Sequence, residues 1–257
     1  MRKIAIVNQK GGVGKSVTTV NLAIGLARQG KKVVAIDLDA QGSLTVSLGF
    51  TEQDKLPVTI ATLMERIIED EDIEPLDGIL HHEENIDLIP ANIELSGTEV
   101  TLVNTMSREC ILREYLKIIE NDYEIAILDC SPSLGMVTIN ALACADEIII
   151  PVQAQYLSIK GMEQLFKTIN KIKKQINPNL MINGILITMA DLRTNYTKDI
   201  ISLLKETYSS KIRIFESIIP FSVRASEISA EGKSIFVHDP NGKVAEAYEN
   251  MVLEVLE

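Results

Sequence analysis

Asn8-Gln9-Lys10-Gly11-Gly12-Val13-Gly14-Lys15-Ser16 is the stretch around which the rest of the chain is organised. It follows the apolar run Ile4 to Val7 and precedes apolar residues at helical spacing, so it lies at a strand-to-helix turn. Its glycines allow backbone N–H groups to converge on an anion that also faces the positive end of a helix. The pattern predicts a phosphate-binding loop, with Lys15 on the β- and γ-phosphates and the Ser16 hydroxyl on Mg²⁺. The alternative is a Gly-rich turn that binds nothing.

The loop departs from the common motif G-x-x-x-x-G-K-[ST], because Gln9 stands where the first glycine would be and a second lysine, Lys10, precedes the glycine pair. This KGGVGKS pattern resembles the deviant Walker A loop of the ParA/MinD family of ATPases. The resemblance implies that the cofactors are ATP and Mg²⁺, and that Lys10 crosses into the partner subunit's site in an ATP-bound homodimer. A cation supplied across an interface stabilises charge on a transferring phosphoryl group. The alternative is a solvated loop lysine. The predicted nucleotide-binding residues of the loop are Lys10, Gly11, Gly12, Val13, Gly14, Lys15, Ser16 and Val17, with Lys10 and Lys15 also catalytic.

Length and hydrophobic pattern predict one α/β domain. A chain of 257 residues with 46% hydrophobic content can bury one substantial core. Strand and helix patterns alternate, which favours a mostly parallel twisted sheet with helices on both faces, as in P-loop NTPases. The predicted strands are Lys3 to Val7, Lys32 to Leu38, Ile86 to Ile89, Ile125 to Asp129, Glu147 to Val152, Met181 to Thr188 and Arg213 to Ile219. We expect residues 1–257 to form a single P-loop ATPase domain.

The chain shows no pattern typical of export or of a membrane span. The N-terminus enters a strand directly, and no apolar run approaches the ~18 residues that a spanning helix needs. The 3 cysteines form no C-x-x-C pair, which favours structural thiols in a reducing cytoplasm. Their spacing also disfavours a metal-cluster carrier. His81 and His82 are interpreted as loop residues.

Two aspartates follow the second strand, in Ile36-Asp37-Leu38-Asp39-Ala40-Gln41-Gly42. Strand alternation puts Asp37 and Asp39 on the same side, at the carboxyl end where open α/β sheets bind ligands. The stretch resembles the family's DxDPQGN segment, with Ala40 and Ser43 in place of proline and asparagine. The resemblance implies that Asp39 positions or activates the attacking water and that Asp37 supports the metal shell. The alternative is a pair of solvated strand-end carboxylates.

A third carboxylate, Asp129, ends the buried apolar strand that begins at Ile125 and is followed by a Pro/Gly turn. This is the Walker B arrangement, in which the carboxylate holds Mg²⁺, commonly through water. It resembles the family's DxPPS segment, with Cys130 in the variable place and Ser131 at a frequent proline. The predicted metal residues are therefore Ser16, Asp37 and Asp129.

Charge is unevenly distributed. Residues 51–99 carry 14 acidic and 2 basic side chains, a net charge of −12, so the whole-chain value of −11 leaves about +1 elsewhere. An anionic partner would avoid the acidic segment. Residues 160–178 carry +4, and a second basic set lies nearer the C-terminus. Such a distribution is consistent with phosphate contacts that carry no sequence information, although solvated helix faces would look the same.

Two further segments, residues 188–195 and 219–227, resemble segments typical of ParA/Soj-type partition ATPases. The resemblance assigns nonspecific DNA binding to Arg193 and Arg224, and we add the nearby Lys198. It also implies that the segment around Pro220 lines the adenine pocket; we include Met189 and Phe221 in that set. Phe221 and Ser222 replace a frequent Arg-Asn pair, and Val17 replaces a usual threonine.

The leading hypothesis is an ATP-dependent DNA partition ATPase for a plasmid or chromosome. Its ATP-bound sandwich dimer would bind nonspecific double-stranded DNA, and a ParB-like centromere-binding partner would stimulate hydrolysis and release. We expect it in the cytoplasm, on the nucleoid and off the membrane. The alternative is a MinD-like positioning or scaffold ATPase that acts without DNA. A metabolic P-loop enzyme resembling dethiobiotin synthetase is a third possibility, in which Lys10 would have no role.

Overall fold

The predicted strands form one sheet. The structure is a computed structural model that describes the backbone of residues 1–257 and the side chains of residues 1–155 and 161–257. Over this backbone, eight strands pair in the order β3-β4-β2-β5-β1-β6-β7-β8. They are β1 (Arg2–Ile6), β2 (Val33–Leu38), β3 (Leu80–His82), β4 (Ile86–Ile89), β5 (Ile125–Cys130), β6 (Glu147–Gln153), β7 (Met181–Ala190) and β8 (Ile214–Pro220). All neighbouring strands are parallel except β3 and β4, which are antiparallel.

Helices lie in most of the connections between the strands and follow the last strand, and a short 3₁₀ turn spans Gln53–Lys55. They are α1 (Lys15–Arg28), α2 (Ser43–Ser47), α3 (Ile60–Ile68), α4 (Leu95–Leu102), α5 (Ile111–Ile119), α6 (Met136–Cys144), α7 (Tyr156–Gln175), α8 (Asn195–Tyr208), α9 (Val223–Glu231), α10 (Ile235–His238) and α11 (Lys243–Leu256). The side chain of Lys160, part of the predicted basic set, lies outside the described residues.

Strand alternation divides the core between the two faces of the sheet. On β1, Ala5 belongs to a cluster that continues into α3, α5, α6 and α7, whereas Ile4 and Ile6 belong to a cluster that continues into α1, α10 and α11. Successive side chains of a strand point to opposite faces, so a strand buried on both faces reads as a continuous apolar run. The predicted fold class, a mostly parallel sheet with helices on both faces, is confirmed.

The register of the central strands collects the polar residues at one edge. Asp129 on β5 lies beside Asp37 on β2 and beside Ile6 on β1, just before the glycine-rich loop. Because the carboxyl ends of parallel strands meet at the same edge, residues far apart in sequence come together there. The predicted metal residues Asp37 and Asp129 therefore lie at the same edge as the glycine-rich loop.

One prediction of local structure is wrong. His81 and His82 are not loop residues but lie in β3, at the edge of the sheet. The His81 ring Nδ1 lies 2.5 Å from a carboxylate oxygen of Asp87 on β4, and the His82 ring Nε2 lies 3.1 Å from the Gly232 carbonyl oxygen. A three-residue strand of which two are histidines is too short to show a hydrophobic period. Each of the seven predicted strands is confirmed, with ends shifted by no more than two residues.

The C-terminal helix α11 packs on the domain. Its apolar face, which includes Val244, Tyr248, Met251 and Val252, is buried in the core. Glu254 accepts hydrogen bonds from the backbone N–H groups of Glu216 and Ser217, at 2.9 and 2.8 Å. Among the described residues, no helix combines the length and the apolarity needed to cross a bilayer.

Gly232 provides a test of the packing between α9 and the end of α2. It has a φ of +67°, and a Cβ added there would lie 2.6 Å from the Cα of Gly49. Gly232→Ala should therefore lower the free energy of unfolding, measured by urea titration, by on the order of 2 kcal/mol. The control is Gly97→Ala, within α4, where an added Cβ meets nothing within 4 Å; it should raise stability by up to about 1 kcal/mol. Equal effects of the two substitutions would contradict the packing described.

Candidate nucleotide-binding site

The loop between β1 and α1 has the conformation of an anion cradle. Gly12 and Gly14 have φ values of +70° and +83°, a region open mainly to glycine. Gly14 is the N-cap of α1, and no side chain accepts a capping hydrogen bond there. The N–H groups of the first helical turn can therefore donate hydrogen bonds to a ligand. The positive end of α1 therefore faces whatever the loop holds.

Hydrogen bonds to β6 and β7 hold the loop in place. Asn8 Nδ2 donates to the Pro151 carbonyl at 2.7 Å. Gln153 Nε2 donates to the Gly12 carbonyl at 2.8 Å, and Thr188 Oγ1 donates to the Val13 carbonyl at 2.8 Å. In a trans peptide the C=O and the following N–H point in opposite directions. The bonds on Gly12 and Val13 thus turn the next N–H groups away from β6 and β7.

Lys15 is the buried cation of the site. Lys15 is the first residue of α1, and it is only 8% exposed. Burial lowers the pKa of the Lys15 amine, and the nearby carboxylates of Asp129 and Asp39 partly offset this. The ammonium therefore lies among negative charges in a region with little water, where charge interactions are strong.

Asp129 contacts the hydroxyls of two residues on α1. It accepts a hydrogen bond from Ser16, and one from Thr19 Oγ1 at 3.1 Å. Burial raises the pKa of Asp129 to about 6, although the Ser16 hydroxyl and the Lys15 charge act in the opposite direction. Hydroxyl and carboxylate oxygens are the ligands that Mg²⁺ prefers, so this donor set fits the ion. The sequence analysis did not identify Thr19 as a site residue. Its spacing of three residues from Ser16, which puts both on one helix face, is the signal that could have indicated it.

Asp37 is tied to the start of α2. Its carboxylate accepts bonds from the Thr45 N–H at 2.9 Å, the Thr45 hydroxyl at 2.8 Å and the Asp39 N–H at 3.1 Å. Burial and the neighbouring Asp129 charge raise the pKa of Asp37 to about 7. Asp39 is half-buried, and its carboxylate accepts from the Gln41 N–H at 3.1 Å. Asp37 thus holds the backbone of Asp39 in position.

A cavity beside the loop brings together the other predicted nucleotide-binding residues. Gly14, Val17, Met189, Pro220 and Phe221 all line it, as does Tyr248 of α11. We call this the β7–β8 cavity, because it lies where these two strands end. A base attached to phosphates in the loop would reach it past Gly14.

The second lysine of the loop, Lys10, is held within its own chain. Its Nζ donates to Gln155 Oε1 at 2.7 Å and contacts Gln153 Oε1 at 3.4 Å. Gln153 therefore binds both the Gly12 carbonyl and the Lys10 amine. Sequence reasoning missed Gln153 and Thr188; a polar residue that ends a buried strand at the ligand edge is the signal for both.

The predicted DNA-binding arginines lie beyond the ends of β7 and β8, which are neighbours in the sheet. The Arg193 side chain is 88% exposed and pairs with Asp191 at 2.8 Å; this pair lowers the Asp191 pKa to about 2. Arg224 is exposed and pairs with Asp239 at 2.7 Å. Lys198 is exposed on α8.

Known proteins resemble the chain over nearly its whole length. The profile of the AAA domain family matches residues 1–182. Sporulation initiation inhibitor protein Soj of Bacillus subtilis is 42% identical over 98% of this chain and 97% of its own length. Chromosome partitioning protein ParA of Myxococcus xanthus is 39% identical over 96% of this chain and 85% of its own. The chain belongs to the ParA/Soj family.

A solved structure shares the fold of the chain over its whole length. Cobyrinic acid a,c-diamide synthase from Mycobacterium smegmatis, with bound ATP analogue and magnesium, has a TM-score of 0.86 and 33% identity, and the match covers 100% of this chain and 94% of the other. The predictions of an ATPase that uses ATP and Mg²⁺ are confirmed at the level of the ParA/Soj family. The roles of individual residues remain predictions.

The raised pKa of Asp37 predicts a pH-dependent stability in the absence of nucleotide and metal. The pKa is about 7 in the folded chain and about 3.9 in an unfolded one, so the folded chain binds more protons between these values. The Asp37 contribution to the free energy of unfolding therefore falls as pH rises through this window.

Asp37→Asn removes this contribution. In urea titrations at about pH 5 and about pH 7.5, the stability of the wild type relative to the variant should fall by on the order of 2 kcal/mol. The exposed Asp122 supplies the control, because Asp122→Asn should leave the relative stability unchanged between the two pH values. A constant difference for Asp37→Asn would show that burial does not hold the proton.

Proposed function

We propose that the chain is a DNA partition ATPase. It binds ATP and Mg²⁺ at Lys10 to Val17, forms an ATP-dependent homodimer, binds nonspecific double-stranded DNA in that state, and releases it after hydrolysis. The observation that carries the proposal is the similarity to Soj along 98% of the chain. We further propose that residues 1–257 act as one ATPase domain on the nucleoid, in the cytoplasm, and that a ParB-like partner stimulates hydrolysis.

In this proposal the buried edge of the sheet binds the triphosphate. Backbone N–H groups of the loop and the Lys15 ammonium hold the phosphate oxygens, while Ser16 and Asp129 hold the metal. Mg²⁺, when bound, supplies positive charge that neutralises the phosphates. Asp37 supports the metal shell and also holds the start of α2, because its two oxygens accept hydrogen bonds from the N–H groups of Asp39 and Thr45. Asp39 orients the attacking water.

Lys10 connects hydrolysis to dimerisation. Its amine leaves Gln153 and Gln155 and reaches the triphosphate of the partner subunit. Both glutamine contacts are to neutral amide oxygens, which hold an ammonium less strongly than a carboxylate or phosphate does. The exchange from amide to phosphate therefore favours the ATP-bound dimer.

The DNA surface is formed by Arg193, Lys198 and Arg224. The two arginines pair with Asp191 and Asp239, and because both guanidinium groups are exposed to solvent, DNA phosphates can compete with these carboxylates for them. Nonspecific binding needs charge and no base contacts. Since a dimer carries each arginine twice, ATP-dependent dimerisation raises avidity for DNA.

Co-sedimentation with plasmid DNA tests this surface. With a nonhydrolysable ATP analogue and Mg²⁺, Arg224→Glu and Arg193→Glu should each weaken binding and lower the salt-dependence slope by about 2 per dimer, about 0.9 for each lost phosphate contact. The exposed Lys55, in the acidic segment, supplies the control Lys55→Glu, which should bind DNA as the wild type does. Equal binding with ADP and with the ATP analogue would contradict the nucleotide switch.

A second candidate is a positioning or scaffold ATPase that uses the same switch on a membrane or protein complex without DNA. Two observations disfavour membrane docking by the C-terminal helix: α11 buries its apolar face, and its polar residues include Glu246 and Glu249. Flotation with anionic liposomes and ATP separates the candidates. We expect the protein to remain in the bottom fraction and not to float with the liposomes.

A metabolic P-loop enzyme is a further candidate, favoured by the synthase name of the solved neighbour. Lys10→Ala distinguishes it from a partition ATPase. The substitution should abolish dimerisation with the ATP analogue in sedimentation velocity and reduce ATP turnover at least tenfold, with nucleotide binding to the monomer retained. Lys117→Ala, an exposed lysine paired with Glu114, is the control. Unchanged turnover in Lys10→Ala would favour the metabolic enzyme.

A further inference from the structure

Helix α6 receives its N-terminal cap from a distant helix. Residues 131–135 form the loop between β5 and α6. The N-cap residue of α6 is Gly135, which has no side chain for capping. Instead, the Glu99 carboxylate of α4 accepts a hydrogen bond from the Met136 N–H, and a second one from the Val137 N–H at 2.9 Å. These N–H groups have no partner within the helix, and a carboxylate suits the positive helix end.

Gly135 leaves the room that this carboxylate occupies. Its φ of −76° and ψ of −173° are extended values that alanine also adopts, so the backbone does not require glycine. A Cβ added there would nevertheless lie 2.8 Å from the carboxylate carbon of Glu99 and would collide with one of its oxygens. All three of the nearest heavy atoms belong to Glu99. The start of α6 is therefore shaped around the carboxylate of one residue from the acidic segment.

Hydrogen bonds within the 131–135 loop link α6 to the strand end that carries Asp129. Thr138 Oγ1, in the first turn of α6, donates to the Ser133 carbonyl at 2.8 Å. The Ser133 and Ser131 hydroxyls lie 3.0 Å apart, and Ser131 is two residues beyond Asp129. The loop is therefore fixed at one end by β5 and at the other by the contact between α6 and Glu99.

The same loop borders the residue that we propose to orient the attacking water. One groove of about 330 Å³ is lined by residues of both, among them Asp39, Gln41, Ser96, Glu99, Ser131 and Ser133. The groove is wide enough to hold ordered water, since one molecule takes about 30 Å³ in the liquid. A shift of the loop would therefore change the shape of the groove beside Asp39.

We propose that Glu99 is a positioning residue for ATP hydrolysis, which caps α6 and so holds the 131–135 loop beside Asp39. The inference rests on the proposed function in that Asp39 orients the attacking water. Without the Glu99 carboxylate, the loop loses the contact that fixes its second end, and the groove beside Asp39 no longer has one shape. A misplacement of about 1 Å in a reacting group can cost about 10²-fold in rate. The phosphate-binding loop is held by other contacts, so affinity for the nucleotide does not depend on Glu99.

Two measurements on the full chain with Mg²⁺ and without DNA test the inference: equilibrium binding of the fluorescent nucleotide mant-ATP, and single-turnover hydrolysis of bound ATP. Glu99→Ala should lower the hydrolysis rate constant at least about tenfold, with the dissociation constant of mant-ATP unchanged. Glu99→Gln, which keeps the length and one acceptor oxygen, should recover part of the rate. Glu94→Ala is the matched control, because Glu94 is exposed at the start of the same helix; its rate and affinity should equal those of the wild type.

Gly135→Ala tests the same contact from the other side. Its Cβ should displace the Glu99 carboxylate and lower the rate constant as Glu99→Ala does. In the Glu99→Ala background, the added Cβ meets no carboxylate, so Gly135→Ala should lower the rate little further. Such non-additivity is expected of two residues that act through one contact. Melting curves establish that each variant is folded.

Three results would overturn the inference: an unchanged rate constant in Glu99→Ala, a loss of mant-ATP affinity that accounts for the lower rate, or additive effects of the two substitutions. The assay contains no DNA, so it separates this inference from the partition function. A wild type that hydrolyses ATP but never binds DNA would refute the partition function alone. A Glu99→Ala variant that hydrolyses ATP at the wild-type rate, in a chain that binds DNA with ATP, would refute this inference alone.

Discussion

The burial of one ammonium among carboxylates is the constraint on which the site depends. Lys15 is almost completely buried, and the charges of Asp129 and Asp39 offset part of the cost of removing its ammonium from water. The neighbouring carboxylates of Asp129 and Asp37 would repel each other. Hydrogen-bond donors reduce that repulsion, because the Thr19 hydroxyl donates to Asp129 and the Thr45 N–H donates to Asp37. In the proposed site, a magnesium ion and a triphosphate would add charges of both signs to the same edge. The arrangement of charged side chains therefore suits ligands of high charge.

The same edge combines fixed and movable parts. The loop backbone is fixed, because Asn8, Gln153 and Thr188 bond it to β6 and β7. Lys10 is attached to that backbone, and its amine contacts the neutral side-chain amides of Gln153 and Gln155. In the proposed mechanism, binding energy gained at the phosphate cradle would favour a second subunit whose triphosphate exchanges with these amides as the partner of Lys10. Such differential interaction is what a ligand-driven change of state requires.

Sequence reasoning found the elements whose signal is local. The glycine pattern, Lys15 and Ser16 mark the loop within nine residues, and continuous apolar runs mark the central strands. The edge strand β3 was missed, because Leu80, His81 and His82 show no period. Long-range partners were missed for a different reason. Glu99 lies in the acidic segment and gives no sign that its carboxylate accepts the Met136 and Val137 N–H groups at the start of α6. The pairing of Gln153 with Gly12 and Lys10 likewise appears only when β6 lies next to β1.

The decisive measurement is a crystal structure with a nonhydrolysable ATP analogue and Mg²⁺. We expect a dimer in which each Lys15 amine contacts the phosphates of its own subunit and each Lys10 amine has left Gln153 and Gln155 for the phosphates of the partner. A nucleotide-bound monomer whose Lys10 amine still contacts the two glutamines would contradict it.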